Sequence, residues 1–316
     1  MEKRRELRVA AISLEAERVK RFELRSTSDE SLPAFTAGSH IDLHLAPNLT
    51  RSYSLLNSQD ERDRYVVGVS LEVESRGGSR FLFENVREGD RLQVSYPRNL
   101  FALHEQAPFS VLIGGGIGIT PLVSMSKRLT SIERPWHLHY CCRTRQIAPF
   151  IGELSPYGGA VNLRFDDEHP SFLDIAGLIR RSPSGTHYYC CGPKSMLTAF
   201  ETAVEAAAVP TEQVHVEYFK PLEDFGQHDG IVVELARSKQ TIVVPTGSTI
   251  LDALRTAGIS TQSSCEAGIC GECQVTVLEG VPDHRDSVLS NSERASNKMM
   301  IICCSGAKSE RLVLDL

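Results

Sequence analysis

The sequence predicts a multidomain protein with an antiparallel β-barrel, a parallel α/β domain and a C-terminal module organised around cysteines. Three observations predict it. Short β-rich runs recur through residues 1–104, strand and helix signals alternate through 105–222, and a C-x4-C-x2-C run, Cys265, Cys270 and Cys273, lies within 230–316. The chain of 316 residues is long enough for two or three domains, each with its own core.

In the first segment the runs are Leu7–Ile12, Phe22–Ser26, His40–Leu45, Arg51–Leu55, Tyr65–Val69 and Arg91–Ser95. Turn residues such as Ala37-Gly38 and Glu88-Gly89-Asp90 separate them. Six short strands at this spacing predict a small antiparallel barrel. In the second segment, strands over Ser110–Ile113, Trp136–Cys142, Val161–Phe165 and His187–Cys191 alternate with helices over Pro121–Leu129 and Lys194–Ala208. That alternation predicts a parallel sheet. A polar, turn-rich linker at 223–229 then leads to strand-like runs Ile231–Ala236 and Gln240–Val244 and a helix over Thr249–Ala257, with Gly258 as its cap.

Composition bounds the function. Hydrophobic residues make up 41% and charged residues 23%, as in ordinary globular proteins. The net charge of −6 is spread along the chain, which argues against a nucleic-acid partner. The first residues are basic but lack an apolar stretch behind them, so no secretory signal is expected. The longest apolar run, Val111–Met125, is broken by four glycines and a proline, and no membrane span is expected. Nine cysteines without a signal peptide point to the cytoplasm and to metal or redox use of the thiols.

The cysteine spacing is that of a plant-type [2Fe–2S] site, with Cys303 far downstream as the fourth thiolate. A short loop can supply three thiolates to two adjacent irons, while the last comes from a distant part of the fold. Gly268 and Gly271 suit a backbone bent tightly around sulfide. Small residues such as Ser263, Ser264 and Ala267 let amides approach the sulfurs. Structural zinc normally uses paired C-x2-C knuckles, and only one is present. An odd cysteine count in a chain of this length does not suit a disulfide framework.

Three other motifs carry chemistry. In Arg51-Ser52-Tyr53-Ser54, strand alternation separates Arg51 and Tyr53 from the two serines. Arginine can hold a phosphate and tyrosine can pack on a planar ring, although an edge strand with a surface arginine reads the same way. Gly77-Gly78-Ser79 precedes a helix-like run and suits either an anion site or an ordinary turn with Ser79 as its N-cap. Gly114-Gly115-Gly116-Ile117-Gly118-Ile119-Thr120-Pro121 follows a strand and opens a helix, as a dinucleotide pyrophosphate requires, but departs from G-x-G-x-x-G. Cys191-Gly192-Pro193 ends a later strand, where open α/β sheets bind ligands. Arg143 and Arg145, just past another strand, suit a ribose or adenine contact or plain solvent exposure.

Taken in order over essentially the whole chain, R-x-Y-S, GGxGIxP, CGP and C-x4-C-x2-C…C resemble the phthalate dioxygenase reductase family, the class IA reductases of Rieske oxygenase systems. Asp283-His284-Arg285-Asp286 fits the same pattern. The resemblance implies a flavin barrel, an NAD domain and a C-terminal β-grasp ferredoxin, with FMN as the flavin, NADH as donor and a Rieske-type oxygenase as acceptor. It implies that Arg51, Ser52, Tyr53 and Ser54 contact the flavin, with Gly77, Gly78 and Ser79 at its phosphate. Gly68, Val69 and Ser70 would lie along its ring, and Phe219 would cover it. Gly116, Thr120, Arg143, Cys191, Gly192 and Pro193 would hold NADH, and Cys265, Cys270, Cys273 and Cys303 the cluster. NADH members of the family often carry an acid where this chain reads Arg143-Thr144-Arg145, and positive charge there would accommodate a 2′-phosphate. In the doublet Cys303-Cys304 adjacent strand residues face opposite ways, so one of the two ligates, and the family pattern selects Cys303.

Overall fold

The computed structural model describes residues 4–28, 30–47, 49–72, 77–169, 171–219 and 230–316. They form two compact units, Met1–Glu217 and Tyr218–Leu316. The expected linker at 223–229 lies outside the described residues.

The first unit opens with six antiparallel strands: β1 (Arg4–Ala16), β2 (Val19–Ser26), β3 (His40–Ala46), β4 (Leu49–Ser54), β5 (Arg64–Ser70) and β6 (Arg91–Ser95), with helix α1 (Gly78–Glu84) between the last two. Their order is β4-β3-β6-β1-β2-β5, and a bridge between Leu55 and Val67 joins the two ends into a barrel. Period-two alternation fills it. Leu7, Val9, Phe22, Leu24, Leu43 and Val67 all point inward and are fully buried. Each such side chain contributes about 1.5–3 kcal/mol relative to exposure. In β5 the outward residues Val66 and Gly68 are buried too. A Cβ built on Gly68 would lie 2.7 Å from the Phe150 ring and 2.9 Å from Thr120 Cγ2, so the strand packs against the α/β segment on its outer face.

That segment runs β7 (Phe109–Gly115), α2 (Ile119–Ser131), β8 (Trp136–Cys142), α3 (Ile151–Leu154), β9 (Val161–Phe165), α4 (Ile175–Arg181), β10 (Thr186–Cys191), α5 (Lys194–Ala206) and β11 (Val214–Glu217). All five strands are parallel, in the order β11-β10-β7-β8-β9. The chain leaves β7 toward β8 and returns on the other side to β10. The strand order therefore reverses between β7 and β10, the place where open α/β sheets form their ligand crevice. The expected strands are all present. Elements α3, α4 and β11 come in addition to those the sequence predicts; Asp174 caps α4 by accepting from Gly177 N at 2.8 Å.

The second unit has β12 (Ile231–Leu235), β13 (Gln240–Val244), α6 (Ile250–Thr256), β14 (Gln274–Glu279), β15 (Pro282–Asp283), α7 (Asn291–Ser296), β16 (Met299–Ile301), β17 (Gly306–Ala307) and β18 (Arg311–Leu314). Five of these strands form a mixed sheet, β13-β12-β18-β14-β16, in which β12 and β18 are parallel. Ile250, Leu251 and Leu254 of α6 are buried in the core this sheet shares with Val233, Leu235, Leu312 and Leu314, the β-grasp arrangement. A capping box starts α6: Asp252 N donates to Thr249 Oγ1 at 3.1 Å and Thr249 N to Asp252 Oδ2 at 3.3 Å. Gly258, at φ +76°, ends it as expected.

Candidate cofactor sites

The cysteine loop runs between α6 and β14. Its curl comes from positive φ at Glu266 (51°), Gly268 (69°) and Gly271 (77°). Glycine takes this conformation freely; Glu266 does not, and it is held by Arg255 of α6, whose Nη2 donates to Glu266 Oε1 at 2.7 Å and Ser263 Oγ at 2.6 Å. Cys265, Cys273, Cys303 and Cys304 are buried, and Cys270 is half-buried. The thiols pair: hydrogen bonding to Cys270, then burial, pushes the Cys265 thiol up, and hydrogen bonding to Cys303, then burial, does the same to Cys273. Among the described residues no group of three His, Cys, Asp or Glu side chains is disposed to hold one mononuclear ion. Backbone amides reach the sulfurs, with Gly268 N donating to Cys303 Sγ at 3.3 Å and Ala267 N to Cys265 Sγ at 3.4 Å. Cys303 and Cys304 lie in the turn after β16 rather than in a strand, so strand alternation does not separate them. Both are buried, hydrogen bonding to Cys303 and then burial push the Cys304 thiol up, and Cys304 Sγ also donates to Ile301 O at 3.5 Å. Two thiol pairs with inward amides fit a binuclear iron–sulfur group.

In the barrel, β4 carries Arg51, Ser52, Tyr53 and Ser54. A Cβ on Gly78 would lie 2.4 Å from Arg51 Cγ, so the glycine lets α1 start against the arginine. The structure thus brings Arg51 and the Gly77-Gly78-Ser79 turn together. Gly77 is the N-cap of α1 at φ +92°, which places Ser79 inside the first turn, where its Oγ accepts from Glu72 N at 3.3 Å. Tyr53 packs beside the barrel core, and burial pushes its phenol up. Ser52 Oγ donates to Asp42 Oδ1 at 2.6 Å, and Asp42, fully buried, also receives Arg98. The Ser52 hydroxyl is therefore committed to the barrel wall. Val69 points into the barrel core, while Gly68 faces Phe150 and Ser70 is half-buried.

The crevice between β7 and β10 is lined by the two glycine turns. A Cβ on Gly118 would come within 2.3 Å of Cys191 O, and one on Gly115 within 2.5 Å of Pro193 Cδ. Gly116, at φ +54°, faces open space. Thr120 is buried and donates from Oγ1 to Ile117 O at 3.1 Å. Cys190 and Cys191 are fully buried and burial pushes both thiols up, so they stay protonated. Phe219 is half-buried and belongs to the second unit.

Two features of the nucleotide segment are not predicted by the sequence. The turn Asp166-Asp167-Glu168 folds back on the arginines: Asp167 N donates to Arg143 O at 3.2 Å, and Arg145 pairs with Glu168 at 3.2 Å while lying over the Phe165 ring. The acidic run was visible, but its place beside Arg143 depends on the pairing of β8 with β9. Glu217, opposite Cys191 in the β10–β11 register, has an unpartnered buried Oε2, and burial raises its carboxyl to about 8. Burial thus favours its protonated form.

Residues 233–308 match the model of the 2Fe-2S iron-sulfur cluster binding domain. The chain is 50% identical to phenoxybenzoate dioxygenase subunit beta of Ectopseudomonas oleovorans, over 98% of this chain and 97% of that one. It is 46% identical to tetrachlorobenzoquinone reductase of Sphingobium chlorophenolicum over 98% of both. The solved structure of phthalate dioxygenase reductase, described as modular for electron transfer from pyridine nucleotides to [2Fe-2S], superimposes with a TM-score of 0.82 at 34% identity, covering 98% of this chain and 97% of its own. The chain belongs to the phthalate dioxygenase reductase family. No helix among the described residues is long and apolar enough to cross a membrane.

Proposed function

We propose that this protein is the reductase component of a Rieske-type aromatic oxygenase or O-demethylase system, taking electrons from NADH through FMN and a [2Fe–2S] cluster to the oxygenase. The observation that carries this reading is the pairing of Cys265 with Cys270 and of Cys273 with Cys303 in the same chain as a barrel and a nucleotide crevice. When bound, the flavin supplies the conversion of a two-electron donor into single electrons, and the cluster supplies a one-electron carrier. The protein positions them. Residues 1–104 hold the flavin, 105–222 the nucleotide and 230–316 the cluster, and the work is done in the cytoplasm.

At the barrel, the Arg51 guanidinium and the amides of Gly77, Gly78 and Ser79 hold the FMN phosphate. Tyr53, Ser54 and the backbone of Ser52, Gly68, Val69 and Ser70 border its ring. Arg51→Ala removes one charge-assisted phosphate contact, worth about 1.5–3 kcal/mol. FMN affinity is expected to fall by roughly ten- to a hundredfold. Gel filtration should strip flavin from the variant, whereas heating the wild-type protein should release FMN. Full retention, or release of FAD, contradicts this site.

In the crevice, Gly116, Thr120, Cys191, Gly192 and Pro193 give the NADH backbone close approach, and Arg143 lies at its adenosine end. The Asp166–Glu168 turn repels a 2′-phosphate, and Glu168 neutralises Arg145, which supports NADH over NADPH. The pair is exposed and so worth about 0.2–1 kcal/mol. Glu168→Gln is expected to raise NADPH use relative to NADH by roughly two- to fivefold in kcat/KM at low salt, with less effect at high salt. An unchanged ratio contradicts that role.

A second reading keeps the cofactors and changes the acceptor. The relative named for tetrachlorobenzoquinone reduction favours a small quinone taking electrons directly. Reduction of a quinone that persists after loss of the cluster would support it.

A further inference from the structure

The cluster-binding loop touches a turn that none of the cofactor contacts above uses. Asp286 sits at its centre and is fully buried, beside half-buried Ser287 and exposed Val288. Its Oδ1 accepts from Val288 N at 2.9 Å and Leu289 N at 2.7 Å, which closes the turn. Its backbone carbonyl receives the Arg294 guanidinium from α7. The other oxygen, Oδ2, accepts no hydrogen bond; His284 Nδ1 stands 3.9 Å away. A buried carboxyl carries a solvation cost that single contacts rarely offset, so its use here to fix one turn points to what that turn holds.

The turn holds Gly268. Ser287 N donates to Gly268 O at 2.9 Å and Ser287 Oγ to the same oxygen at 3.3 Å. A Cβ on Gly268 would lie 3.2 Å from Asp286 Cα and 2.5 Å from Cys304 Sγ, so the glycine is wedged between the turn and the cysteine doublet. The amide of that same glycine donates to Cys303 Sγ at 3.3 Å. One residue thus accepts from the turn on its carbonyl side and donates to sulfur on its amide side. A hydrogen bond to a ligating sulfur withdraws charge from the cluster and favours the reduced state.

We propose that Asp286 is a positioning residue that sets the reduction potential of the cluster, by holding Gly268 so that its N–H points at Cys303 Sγ. This deepens the proposed function and rests on its assignment of Cys303 as a ligand. Two effects of substitution oppose each other. Loss of a negative charge near the cluster raises the potential, whereas loss of the N–H···S bond lowers it. Asp286→Asn loses the charge but keeps an Oδ1 that can close the turn, so it is the reference for Asp286→Ala, which loses both.

The test is a spectroelectrochemical titration of the full-length, cofactor-loaded proteins, with iron content and visible spectrum measured on the same samples. Asp286→Ala is expected to retain iron and to lie below Asp286→Asn by about tenfold in the one-electron reduction equilibrium, about 59 mV. Equal potentials in the two variants overturn the proposal. Should Asp286→Ala fail to load iron, Asp286→Ser, whose hydroxyl closes such turns more weakly, is expected below Asp286→Asn, and equality there overturns it as well. Wild-type protein without iron would instead defeat the cluster assignment itself, a failure the spectrum distinguishes from the first.

Discussion

Cys303→Ser is expected to remove the cluster and the exit of electrons while leaving the entry of hydride intact. Cys303 is buried, pairs with Cys273 and receives the Gly268 amide, a contact to sulfur that Cys304 does not make. Serine offers a hard oxygen where the irons need soft thiolate. Iron content should drop to near zero and cytochrome reduction with it. NADH-driven ferricyanide reduction, which needs only flavin, should continue at a similar rate. Cys304→Ser is the control. Its Sγ already donates to Ile301 O, a bond that a hydroxyl can make, and cluster and cytochrome reduction should survive. The reverse outcome would exchange the roles of the doublet.

The second large effect falls at the nucleotide crevice. Gly118 has an ordinary helical φ of −62°, so backbone conformation does not require glycine there. Space does. An added Cβ would meet Cys191 O at 2.3 Å, Cys191 C at 2.6 Å and Gly192 N at 2.8 Å, all backbone atoms that cannot rotate aside. Gly118→Ala must therefore push the start of α2 away from the Cys191-Gly192-Pro193 turn. Overpacking of this kind costs roughly 1–3 kcal/mol of stability. A displacement of about 1 Å between groups that grip one substrate can cost on the order of a hundredfold in rate. The expected result is a loss of roughly ten- to a hundredfold in kcat/KM for NADH, with FMN and iron content unchanged. A variant with normal NADH kinetics would show that the two turns do not act as one grip.

Much of this was legible in the sequence because the chemistry is carried by spacing. C-x4-C-x2-C specifies three convergent thiolates before any fold is known, and the glycine positions within it matched the curl observed at Gly268 and Gly271. The strands of the barrel and of the parallel sheet were legible because their apolar patterns are strong. What stayed hidden depends on register. Nothing local marks Ser52 as a donor to Asp42; that pair exists because β3 and β4 align those two residues. The acidic turn at Asp166 meets Arg143 only through the pairing of β8 with β9. The burial of Glu217 requires β11 to lie beside β10, and β11 has only four residues. The last strands of the β-grasp unit, two or three residues long at β15, β16 and β17, carry too few side chains for a periodic signal. Asp286 looked like one polar residue among four, and its burial appears only once the turn closes on Gly268.

The path from pyridine nucleotide to cluster is tested most directly by anaerobic addition of NADH to the purified protein, followed by visible absorption and electron paramagnetic resonance. The expected result is a coloured protein with flavin and ferredoxin-like bands, in which NADH bleaches both and produces the rhombic resonance of a reduced [2Fe–2S] cluster, absent in Cys303→Ser. Colourless protein carrying zinc at the thiols, or a cluster that NADH leaves oxidised while the flavin is reduced, would contradict it.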